Sequence, residues 1–75
     1  MKEIMYGSLN AAIGDAKARA ASKEIPWYVV TLDKSGPMGP GRVYANCRVE
    51  YLSNPEFQEK DGRVIYTVQP DGTFQ

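Results

Sequence analysis

Pro26 is the residue that most constrains this chain, because it separates a segment written for a helix from one written for a strand. From Leu9 to about Lys23 the helix propensity is high, and Leu9, Ala12, Ile13, Ala16 and Ala20 recur at the i, i+3, i+4, i+7 spacing of one helical face. Ser8 is placed to cap its N-terminus. Proline disfavours the helical region for the residue before it, so the helix should stop by Ile25. Directly after it, Trp27-Tyr28-Val29-Val30-Thr31-Leu32 concentrates aromatic and β-branched residues and reads as the central strand.

The remaining segments read as strands and turns. Lys2 to Tyr6 alternates weakly and ends at Gly7, which suits a short first strand. Lys34 to Gly41 holds three glycines and two prolines, so it cannot carry a regular ladder and is expected to be a loop. Arg42 to Leu52 alternates, with Val43, Ala45, Cys47, Val49 and Tyr51 on an inward face and Arg42, Tyr44, Asn46, Arg48 and Glu50 on a wet one. Asp61-Gly62 signals a turn before the β-rich run Arg63 to Val68, and a segment near Phe57 to Lys60 is a candidate to pair back across it. Gln69-Pro70-Asp71-Gly72 is a second turn, after which Thr73 to Gln75 can return as a short edge strand.

The expectation is a single α+β domain over residues 1–75, in the order β-α-β-β-β. One N-terminal helix would pack on a mainly antiparallel sheet of three to five strands, in two layers. With 75 residues the core is small, which leaves little room for a deep substrate pocket. Hydrophobic residues at 43% and charged residues at 24% keep the chain out of the disordered regime.

Several chemistries lose their usual side chains. There is no histidine, which removes Ser-His, Cys-His and His-based zinc arrangements, so neither a catalytic nor a metal site is assigned and no cofactor is expected. The single cysteine, Cys47, cannot form an internal disulfide, which suits a reducing compartment and a cytoplasmic protein. Cys47 lies among inward-facing residues and reads as a buried, inert thiol. No membrane span is expected, and Met1-Lys2-Glu3-Ile4 does not resemble the start of a signal peptide. Nine basic residues balance nine acidic ones, but unevenly: residues 1–49 carry seven basic against four acidic side chains, and residues 50–75 two against five. That favours a patchy protein surface or head-to-tail self-association over a bulk electrostatic partner.

Two surfaces stand out. Arg42, Tyr44 and Arg48 on the wet face, with Met38 at the tip of the Gly/Pro loop, form a candidate partner-binding surface. Ala11, Gly14, Ala18 and Ala21 form a strip of small residues on the back of the helix, where a second backbone could approach; glycine in a helix costs about 1 kcal/mol relative to alanine.

The segment Ser8-Leu9 through Ala16-Lys17 to Ala21-Ser22-Lys23-Glu24, followed by a strand and hairpins, resembles small phage-encoded inhibitors of the anti-CRISPR type. That resemblance covers about the first third of the chain and implies a non-enzymatic protein that occludes a host complex through exposed Lys, Arg and Tyr. The reading is therefore a protein-binding module, an inhibitor or adaptor that meets a larger host protein as a monomer or homodimer. The alternative is a single-stranded nucleic-acid binder using the same sheet face.

Overall fold

In the computed structural model, which describes residues 5–6, 8–34 and 41–75, the chain begins with a two-residue strand, β1 (Met5–Tyr6). Residues 2–4 of the expected first strand lie outside the described residues. Helix α1 (Leu9–Lys23) follows, and the Ser8 hydroxyl accepts from the Ala11 N–H at 3.2 Å, satisfying a donor that the first turn would otherwise leave open. It ends at Glu24, which takes up a left-handed conformation with φ 60° and donates its N–H to the Ala20 carbonyl at 2.8 Å. Strand β2 (Trp27–Lys34) starts immediately after Pro26, as the sequence requires.

Strand β3 (Gly41–Cys47) is shorter than the alternation predicts. It pairs antiparallel with β2, with Tyr28 opposite Cys47. One step further, Arg48 would face Trp27 and Val49 would face Pro26, which has no N–H to donate. The ladder therefore loses its partner at Cys47, and the chain turns into α2 (Val49–Leu52) and α3 (Pro55–Glu59). Asn54 caps α3, its Oδ1 accepting from the Glu56 N–H at 2.8 Å, and Pro55 occupies the first turn, where a missing donor costs nothing. Thus Arg42–Leu52 is not one strand, and the Phe57–Lys60 segment is helix and its C-terminal turn instead of a returning strand. Strand β4 (Arg63–Val68) closes the sheet, whose order is β1-β3-β2-β4 with antiparallel neighbours. The fold is α+β as expected, but two short helices interrupt the β-α-β-β-β order.

Both faces of the sheet are covered. On one, Ala12, Ala16 and Ala20 of α1 are fully buried against Trp27, Val29 and Val68, with Leu9, Ile13, Tyr44 and Tyr66 packed around them. On the other, Val30, Leu32, Ala45 and Cys47 lie beneath Phe57, Tyr51 and Leu52 from α2 and α3. The two-layer expectation accounts for the first face only. The register of β4 slips once, with Val29 opposite Tyr66 but Val30 opposite Val64. Ile65 is thus an extra residue, a β-bulge. After the Gln69–Gly72 turn, Phe74 bridges Val68, and Thr67 and Gln75 exchange backbone hydrogen bonds at 3.0 and 3.3 Å.

The face expected to be wet is the one beneath α1. Alanines on the underside of α1 bring the helix close to the sheet, so Tyr44 packs into the core and Asn46 meets the helix. The expected inward pattern holds for Ala45 and Cys47, and fails at Val49, which is 54% exposed.

Candidate functional site

The residues singled out from the sequence do not converge on one surface. Met38 lies outside the described residues. Arg42 is committed to the fold: its guanidinium donates to the Thr31 hydroxyl and carbonyl, both at 3.2 Å, and to the Asp61 carbonyl at 2.7 Å and carboxylate at 3.3 Å. These bonds tie β3 and β2 to the turn before β4. Tyr44 is half-buried in the α1 core. Arg42 and Arg48 are both exposed, and Arg48 lies at the entrance to α2 with its Nε 3.8 Å from a Glu50 carboxylate oxygen.

Ala11, Gly14, Ala18 and Ala21 all face solvent, as their spacing implies. A methyl group built on Gly14 would touch nothing within 4 Å. Cys47 is buried, and no group of three or more acidic or thiol side chains among the described residues could hold a metal ion. Among the described residues no helix is long and apolar enough to cross a membrane.

A groove of about 260 Å³ opens beside Arg48, lined by Ile25, Pro26, Tyr28, Val49 and Glu50. Each wall follows from a local event in the chain. Ile25 and Pro26 form the short link between the end of α1 and β2, and Tyr28 is the first residue of β2 to pair with β3. Val49 and Glu50 form the first turn of α2, where the chain leaves the sheet opposite Pro26. The same proline that ends α1 thus also turns Val49 out of the ladder and supplies a wall of the groove.

Sequence reasoning missed this site because Val49 continues the alternation of β3 and so reads as a core residue. A register argument, placing Val49 opposite a residue without an N–H, is the signal that finds it. Of the large hydrophobic side chains exposed among the described residues, Val49 is the most open, ahead of Val64 and Phe74.

No protein-family model, no curated protein and no solved structure matches this chain. The groove is therefore interpreted from its own chemistry.

Proposed function

We propose that the protein is a small non-enzymatic binding module, an inhibitor or adaptor of the phage or mobile-element kind, that acts by covering a surface on a larger protein. The observation that carries this reading is Val49, a β-branched side chain 54% exposed at the lip of an apolar groove. Interfaces of standard size bury about 800 Å² per partner and draw most of their energy from a few anchors seated in such recesses. The groove is the centre of such an interface, with Glu50 at its polar rim.

The nucleic-acid alternative gains no support from the sheet face beneath α1, where the sequence placed it. Stacking of bases needs open aromatic faces. Tyr44 and Tyr66 instead pack against the core beneath α1, and Arg42 is occupied by Thr31 and Asp61.

The test uses the intact protein and Val49→Lys. Val49 is exposed, so the substitution places no charge in the core. Both proteins are immobilised and exposed to extract from the source organism, and any protein retained by the wild type is purified and titrated against both. Binding at least tenfold tighter to wild type supports the module reading. Equal binding to the two proteins overturns it, and salt-sensitive retention of an oligonucleotide in its place moves the assignment to the alternative.

A further inference from the structure

We propose that the groove seats a single arginine side chain of the partner protein, an inference that rests on the binding-module reading above. At about 260 Å³ the groove lies below the ~300–1,000 Å³ of sites for drug-sized ligands, and suits one anchoring side chain better than a cofactor. Its walls are mixed in a specific way. Ile25, Pro26, Tyr28 and Val49 supply apolar surface, and Glu50 is the one charged residue lining it among the described residues.

That combination fits an occupant with an aliphatic stem and a cationic head. Arginine and lysine both bury their stems along apolar surface while the charge stays at the rim. The guanidinium is the better match, because it is planar, stacks on aromatic rings such as Tyr28, and can present two N–H groups to one carboxylate. A purely apolar anchor would make no use of the Glu50 carboxylate, and an acidic anchor or a phosphate would meet it as a like charge. A second copy of the chain would need an apolar contact far wider than five residues provide.

Glu50 has capacity for such a partner. Its side chain is 75% exposed, and its ion pair with Arg48 is long, with the Arg48 Nε 3.8 Å away and beyond hydrogen-bonding distance. Arg48 makes no capping bond to α2. It is a nearby cation that competes for the same carboxylate. Removing Arg48 therefore strengthens the site, the opposite of what a role for Arg48 as a partner contact would give.

The experiment titrates isotopically labelled protein with the pentapeptide acetyl-Gly-Gly-Arg-Gly-Gly-amide and with its citrulline twin, which keeps the shape and loses the charge. Saturable amide shifts at Tyr28, Val49 and Glu50, with arginine bound about threefold or more tighter than citrulline, are the expected result. Glu50→Gln should erase the difference between the two peptides, and Arg48→Ala should tighten the arginine peptide about twofold. Equal affinity for both peptides, shifts confined to other surfaces, or no saturable shift at the highest soluble concentration would overturn the inference. If the peptides fail while the Val49→Lys comparison still separates a real partner, the arginine assignment falls alone. If that comparison also fails, the binding-module reading falls with it.

Discussion

The indole Nε1 of Trp27 donates to Oδ1 of Asn46 at 2.9 Å, across neighbouring strands and beneath α1. The Asn46 amide then donates through Nδ2 to the Asp15 carboxylate at 3.0 Å, and Arg19 Nε meets the same carboxylate oxygen at 2.6 Å. Helix, central strand and edge-side strand are joined by one chain of polar contacts. The relay gives α1 an orientation on the sheet that three alanines, with no shape to interlock, could not specify alone.

Asn46→Ala removes the middle of that relay and leaves the buried indole N–H without its acceptor. The expected loss is about 1–3 kcal/mol, equivalent to several degrees in the melting temperature. Trp27→Phe in the same background should cost less than it does alone, because the two residues share one bond. Additive losses in thermal unfolding would show that the relay is not a unit.

Opposite sides of α1 should respond oppositely to added volume. Ala16 is fully buried against the sheet, so Ala16→Leu overpacks the contact and should destabilise by about 1–3 kcal/mol. Gly14 has free space around it, and Gly14→Ala should stabilise by up to about 1 kcal/mol through helix propensity. Chemical denaturation of the two variants checks both signs.

Gly62 is required for close approach and not for its backbone freedom. A methyl group there would overlap the Phe57 ring and stand 2.7 Å from the Phe57 carbonyl oxygen. The Gly62 N–H already donates to that carbonyl at 2.8 Å, so the turn cannot retreat without losing the bond. Gly62→Ala is expected to lower stability by about 1–3 kcal/mol, and an unchanged denaturation midpoint would refute the packing argument.

Glu24 places a side chain in the left-handed region at φ 60° and a carboxylate at the negative end of the α1 dipole. Glycine avoids both penalties. Glu24→Gly should therefore raise the melting temperature, by an amount equivalent to about 1 kcal/mol.

Asp71 titrates below the ordinary carboxylate range. The Thr73 backbone N–H donates to its carboxylate at 3.0 Å and the Thr73 hydroxyl at 2.7 Å, and together these hold its pKa below the ordinary value of 3.8. A folded pKa below the unfolded one means the contribution is present above the ordinary value and disappears as pH falls through the lower, folded one. The Thr73 amide resonance should therefore titrate with a midpoint below 3.8 in wild type, and not at all in Asp71→Asn.

Local chemistry made much of this protein legible from its sequence. The Ser8 cap, the Leu9–Lys23 helix, the break at Pro26, the strand that follows it and the turn at Gln69–Gly72 all depend on residues a few positions apart, whose preferences are written in their own side chains. The end of β3 is a different kind of fact. Val43, Ala45, Cys47, Val49 and Tyr51 alternate without interruption, and nothing in that run marks Cys47 as the last paired residue. The stop comes from Pro26, some twenty positions earlier, and only the register between the two strands brings it opposite Val49. The same holds for the covered face: which side of the sheet α1 occupies was settled by the Trp27, Asn46 and Asp15 contacts between distant segments. Sequence alone determined α1, the break after it and β2, but not the two short helices that follow β3. Pairing between elements decided which of their residues are left for a partner, because a hydrogen-bond ladder ends where its neighbour can no longer donate.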